Sequence, residues 1–103
     1  MIESLKEFDR IVVFDTETTG IEFGRDRIIE IGAAAWEQGR ETGGMDCLIR
    51  LPEGRTLPPF IVNLTGITDA QLQAEGVTEA EAAASFCRLL EGAERPLLVA
   101  YNA

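Results

Sequence analysis

Two carboxylates stand two residues apart in the stretch Phe14-Asp15-Thr16-Glu17-Thr18-Thr19-Gly20, directly after the apolar run Ile11-Val12-Val13. In a strand, residues i and i+2 project from the same face, so Asp15 and Glu17 share a face at the carboxyl end of a strand that reads as buried. Two like charges a few ångströms apart are costly to bury unless a proton or a cation neutralises them. Paired hard oxygen ligands suit Mg²⁺ or Mn²⁺. Two such ions about 3.5–4 Å apart hold the attacking and leaving oxygens of a phosphodiester in line. On spacing alone, a solvated pair, or carboxylates capping the Thr18-Thr19-Gly20 turn, accounts for the two acids equally well.

The elements that must position this pair follow from the pattern along the chain. Residues 11–15 read as a first strand. Arg27 to Trp36 is a second, with Ile29 and Ile31 on one face and Ile28 and Glu30 on the other. Gln38-Gly39 supplies a turn, and Met45 to Arg50 gives a third strand that ends at Pro52. Pro58-Pro59 opens a short helical segment toward Gly66. Thr68 to Gln71 and Thr78 to Glu81 both have the form of a capping box. They start one helix that stops near Gly76 and a longer one through Glu91, ended by Gly92. On the longer helix Ala82, Ala83, Phe86, Leu89 and Leu90 form one apolar face. Leu97 to Ala100 is a fourth strand, apolar enough to be central. A crossover helix before it sets it parallel to an earlier strand, by expectation the first. The fold class is thus α/β, a mixed sheet flanked by helices. One sheet face is left without cover, so the chain reads as interrupted and as able to self-associate through that face.

The chain has 103 residues, room for one domain, and a net charge of −9 from 18 acidic and nine basic side chains. That balance argues against sequence-independent nucleic-acid binding through a basic surface. Carboxylates in a cleft still contact nucleic acid where divalent metals stand between them and the phosphates. There is no histidine, which removes a histidine general base and zinc sites of the His/Cys kind. Cys47 and Cys87 are expected as reduced, packed thiols. No apolar run reaches the roughly 20 residues of a membrane-spanning helix, and MIESLKEFDR lacks the order of a signal peptide. A cytoplasmic protein with no membrane partner is the expectation.

The full string is more specific than the pair. DTETTG, then RIIEIGAAA, then P-x-x-x-x-L-T-G-I-T-D-A-Q-L from Pro59, then LLVAYNA resembles the DnaQ-like 3′–5′ exonucleases of the DEDD superfamily. That superfamily includes the proofreading subunit of bacterial DNA polymerase III and the exonuclease domain of PolC. The resemblance runs from Ile11 to Ala103 and implies a ribonuclease-H-like fold, two divalent metal ions (Mg²⁺ or Mn²⁺), and a single-stranded 3′ end of DNA, or of RNA, as substrate. It also implies a DNA polymerase as partner. By the same resemblance, Asp15 bridges the two ions and Glu17 binds the one that activates water. Thr16, Thr18 and Thr19 line the pocket of the 3′-terminal nucleotide through backbone and hydroxyl groups. Leu64 packs on the terminal base, with an ordinary core leucine as the alternative. Asn102 falls in the second exonuclease motif.

The sequence departs from the family pattern at two points. Tyr101 stands where many members have histidine, and the motif aspartate that follows Asn102 lies past Ala103, as does the third motif with its general base. The chain is therefore expected to be the N-terminal portion of a single exonuclease domain, with negligible catalysis from these 103 residues alone. The alternatives are a truncated, non-catalytic interaction module on the same fold and an RNA-trimming member of the superfamily.

Overall fold

The computed structural model describes residues 7–20, 22 and 24–101. Strand β1 (Arg10–Thr18) extends through the unbroken β-formers Ile11 to Phe14 and on into the acidic motif. Strands β2 (Ile28–Glu37) and β3 (Arg40–Leu48) form an antiparallel hairpin. Its two-residue turn, Gln38-Gly39, has positive φ at both positions, 50° and 78°, the geometry that matches the strand twist of a tight hairpin. β3 begins at Arg40, not at the expected Met45. The polar run before Met45 carries no apolar signal of its own, and pairing with β2 makes it a strand.

Helix α1 (Pro59–Thr65) starts on its proline and ends at Gly66 in the left-handed conformation, φ 77°. Helices α2 (Asp69–Glu75) and α3 (Glu79–Arg88) both open on reciprocal capping boxes, Thr68 with Gln71 and Thr78 with Glu81. α3 stops at Arg88, short of the expected Glu91. Its last turn tightens into i to i+3 bonds from the Leu89, Leu90 and Glu91 amides before Gly92 turns the chain at φ 81°. Strand β4 (Pro96–Ala100) then returns parallel to β1, as expected. The sheet order is β3-β2-β1-β4. Among the described residues β4 is therefore an edge strand, not a central one. Its apolar side chains do not find cover on both faces: Leu98 is 48% and Val99 39% exposed.

Alternation divides the sheet into two faces. Val12 and Phe14 pair with Ala35 and Ala33 and face the helices. Phe86 of α3 meets Phe14 edge-to-face, with ring centroids 5.4 Å apart. Ala82 is buried and Leu89 and Leu90 are half-buried, whereas Ala83, expected on the same helix face, is exposed. Ile29, Leu57, Ile61, Ile67 and Leu72 form the other part of the core, joining β2 to α1 and α2, with Leu48, Leu51 and Val62 packed against it. Both cysteines are free. Cys47 is half-buried as expected, but Cys87 lies on the solvent side of α3. No helix among the described residues is long and apolar enough to cross a membrane.

Arg10 fastens this crossover at the end of the sheet remote from the acidic motif. Its guanidinium donates to the carbonyls of Leu89 (2.8 Å) and Glu91 (2.6 Å) and to Glu37 Oε1 (2.7 Å). Arg10→Ala leaves the Leu89 and Glu91 carbonyls and the Glu37 carboxylate without this donor and is expected to lower stability by about 2 kcal/mol. The check is the urea midpoint, which should fall at constant m-value.

Candidate active site

Because Val12 and Phe14 face the helices, the intervening side chains of β1, Val13, Asp15 and Glu17, belong to the open face. Register then decides their company. Glu17 lies opposite Glu30, Asp15 opposite Gly32, and Gly32 in turn opposite Asp46. Four carboxylates from three adjacent strands, Asp15, Glu17, Glu30 and Asp46, thus line one cleft of about 170 Å³ together with Thr16 and Gly32. Gly32 leaves the floor between Asp15 and Asp46 free of a side chain. A bulge between Glu17 and Thr18 breaks the pairing just beyond the pair, a device that re-aims side chains at the rims of sites.

The sequence reading brought Asp15 and Glu17 to this place and missed Glu30 and Asp46. The signal for Glu30 was present: Ile29 and Ile31 are the inward residues of β2, so Glu30 must point to the open face. Asp46 carried no comparable mark.

The crowding has an electrostatic consequence. Burial first, then the hydrogen bond and charge of Asp46, then the charges of Glu17 and Asp15, push the Glu30 carboxyl up to about 7. Burial and the same two acids, Asp46 and Glu30, also raise the Cys47 thiol above its ordinary value. Among the described residues no group of three or more acidic or cysteine side chains converges to hold an ion, so the carboxylates border an open cleft and not a closed cage. The donor set nonetheless fits a hard divalent cation: it is all carboxylate, and a cation would relieve the burial and repulsion that raise Glu30.

A stability profile follows from Glu30. A carboxyl raised in the folded state contributes stability that is fully present below its unfolded value, near 4.5, and lost as pH rises through about 7. A shift of this size corresponds to about 3 kcal/mol in a dry site, which solvent contact screens to about 1 kcal/mol. Glu30→Gln removes this loss, so at pH 8 the variant should melt about 5 °C above the wild type and show a flatter profile between pH 4.5 and 8. Parallel profiles for the two proteins would show that Glu30 titrates normally.

The turn after the strand is capped by a different acid. Asp26 Oδ1 accepts from the Thr19 hydroxyl (2.9 Å) and Asp26 Oδ2 from the Glu22 amide (2.7 Å). The Glu22 amide first, with the Thr19 hydroxyl and Arg25, holds Asp26 below the usual carboxylate range. Thr19 is 4% exposed, and its hydroxyl also accepts from the Arg27 amide at 2.9 Å. The Thr18 hydroxyl donates to the Gly20 carbonyl at 2.7 Å. A Cβ on Gly20 would lie 2.5 Å from Asp26 Oδ2, which explains the glycine. Capping is thus Asp26's task. Among the described residues Asp15 accepts only from the neighbouring Thr16 amide, at 2.9 Å, and is exposed. The Thr18 and Thr19 hydroxyls, expected to face a nucleotide, are engaged within the turn. Leu64, on α1, is 78% exposed, so it is not a core leucine. Asn102 lies outside the described residues.

The described residues thus form a mixed sheet with a carboxylate cleft at the end of its first strand and helices on the other face. Residues 12–103 match the family model of exonucleases named RNase_T, and the chain belongs to that Exonuclease family. It is 35% identical over 100 residues to the DNA polymerase III subunit epsilon of Treponema pallidum, covering 97% of this chain and 44% of that protein. It is 40% identical over 95 residues to a DNA polymerase III subunit epsilon-like protein of Rhodobacter capsulatus, covering 89% of this chain and 13% of that protein. The chain therefore spans less than half the length of these curated relatives. Among solved structures, E. coli exonuclease I in complex with a 5cy-dT13 oligonucleotide superposes with TM-score 0.78 at 24% identity, over 91% of this chain and 20% of that one. A full-length 3′-exonuclease superposes with TM-score 0.74 at 20% identity, over 93% and 35%. These likenesses establish the ribonuclease-H-like fold.

Proposed function

We propose that this chain carries part of the active site of a 3′–5′ exonuclease that hydrolyses the terminal phosphodiester of a single-stranded 3′ end, DNA in preference to RNA. The observation that supports it most directly is the projection of Asp15 and Glu17 into one cleft on the open face of the sheet, in a chain of the Exonuclease family. Two Mg²⁺ or Mn²⁺ ions, held in part by Asp15 and Glu17, would activate water and stabilise the charge on the leaving oxygen. The protein's own contribution is position. β1 fixes both carboxylates on one face, and Gly32 keeps room between the strands. The Asp26-capped turn holds the backbone of Thr18 and Thr19 beside the cleft. Leu64 offers exposed apolar surface for the terminal base, and Asn102 joins the substrate side by family position.

The relatives that are DNA polymerase III subunits support a proofreading role in DNA replication, beside a polymerase in the cytoplasm. The test is a 5′-labelled single-stranded oligonucleotide incubated with Mn²⁺ and the full-length protein that carries this chain, because these 103 residues alone are expected to show negligible catalysis. A ladder that shortens from the 3′ end is expected. Internal cuts, or no product with any divalent ion, would set the reading aside.

The open face also favours a contact role. Val13, Ala34, Trp36 and Tyr101 border a shallow apolar depression, and Val99 of β4, paired with Val13, stands exposed on the same face beside a strand edge that is unpaired among the described residues. Self-association through this face would appear as a dimer in light scattering that Val99→Lys converts to monomer.

A further inference from the structure

We infer that Phe60 and Arg55 form a seat for a nucleotide near the 3′ end of a single strand, the ring taking the base and the guanidinium the adjoining phosphate. The inference rests on the exonuclease reading above and adds to it residues on a different loop and helix.

Phe60 is 63% exposed although it sits next to Ile61, which is buried in the core. α1 is fixed by Ile61 on its inner side, so Phe60 and Leu64, four residues apart, share the outer side. A single exposed aromatic is ordinary. This one borders a groove of about 720 Å³ whose other walls are Thr19, Gly20, Glu22, Arg25, Asp26, Arg55, Thr56 and Pro58. Thr19 and Gly20 close the motif that carries Asp15 and Glu17, so the groove begins where the carboxylate strand ends.

Charge favours the same occupant. In a chain of net charge −9, the carboxylates of this groove are already engaged. Asp26 caps the turn and pairs with Arg25, and Glu22 pairs with Arg25 at 2.7 Å. The Arg55 guanidinium donates to the Arg25 carbonyl at 2.9 Å and has no acidic partner among the described residues. An aromatic ring and a guanidinium lining the same groove suit a base and its phosphate and do not select sequence, because every base has a π-face. Thr56 and Pro58 carry no charge that would repel the strand.

The experiment measures binding apart from cleavage. Fluorescence anisotropy of a short labelled oligothymidylate is recorded with Ca²⁺ for the wild type, Phe60→Ala, Phe60→Trp and Arg55→Ala, using oligonucleotides with a single abasic position moved stepwise from the 3′ end. Phe60→Ala should weaken binding about tenfold and Phe60→Trp should restore it. At one abasic position within the last three nucleotides the wild type should bind as weakly as Phe60→Ala, with no further loss on combining the two. Arg55→Ala should weaken all the oligonucleotides alike and flatten the salt dependence. Unchanged affinity in Phe60→Ala, with hydrolysis still dependent on Asp15, overturns the seat and leaves the exonuclease reading standing. Failure of the full-length wild type to bind or cut any oligonucleotide overturns both.

Discussion

Asp15→Ala is expected to lower 3′-end hydrolysis by the full-length protein about a thousandfold while leaving it folded. Asp15 offers charged oxygen to the cleft between three strands, and on the proposed two-metal reading its loss would remove a carboxylate ligand and several kcal/mol of barrier lowering. The fold should not suffer. Asp15 is exposed, and its only hydrogen-bond partner among the described residues is the adjacent Thr16 amide. It is also one of the charges that raise Glu30, so its removal relieves repulsion. Loss of rate with an unchanged or slightly raised Tm separates a chemical role from a structural one. Asp15→Asn keeps the shape and loses the charge, and should be nearly as inactive. If both variants cut at the wild-type rate, the assignment of Asp15 to the metal ions is wrong.

Gly76→Ala is expected to destabilise the protein by about 3 kcal/mol or more. Gly76 closes α2 with φ −71°, so the glycine is not there for a left-handed turn. It is there for space. A Cβ would meet the Leu72 carbonyl oxygen, and would lie 2.7 Å from Arg50 Cγ and 2.9 Å from the Arg50 amide nitrogen. Two of these neighbours are backbone and cannot rotate away. The next residue, Val77, bridges in parallel to Ile49 and bonds both strand neighbours, its amide donating to the Leu48 carbonyl (2.8 Å) and its carbonyl accepting from the Arg50 amide (2.9 Å). Relieving the clash pulls that bridge apart and shifts Thr78, which caps α3. Overpacking against backbone belongs to the mechanisms that give the largest single-residue effects. A melt that matches the wild type would show that the α2–α3 joint moves freely against β3.

Much of the fold was legible because its signals are local. Capping boxes at Thr68 and Thr78, Pro59 at a helix start, Gly66 and Gly92 at ends, and the alternation of Ile29 and Ile31 each require only a few neighbouring residues. The errors fell where local signals stop. β3 begins at Arg40 in a polar run that only pairing with β2 turns into a strand. β4 is apolar yet stands at the edge among the described residues, since composition reports hydrophobicity and not the number of neighbours. Ala83 and Cys87 are exposed on α3 because one helix face, through Ala82 and Phe86, is enough to cover the sheet.

The site divides in the same way. The sequence by itself determined that Asp15 and Glu17 share a face, because a strand repeats every two residues, and the surrounding motifs identified the exonuclease family. Only the tertiary structure decided which side chains share that face with them. Register across three strands sets Glu30 opposite Glu17 and places Asp46 one strand beyond Asp15. The Asp26 cap leaves both motif carboxylates free for the cleft. Phe60 and Arg55, far from the motif along the chain, border the groove that begins at its end. Contacts between residues distant in sequence depend on how strands slide and helices dock, and no short-range period encodes that.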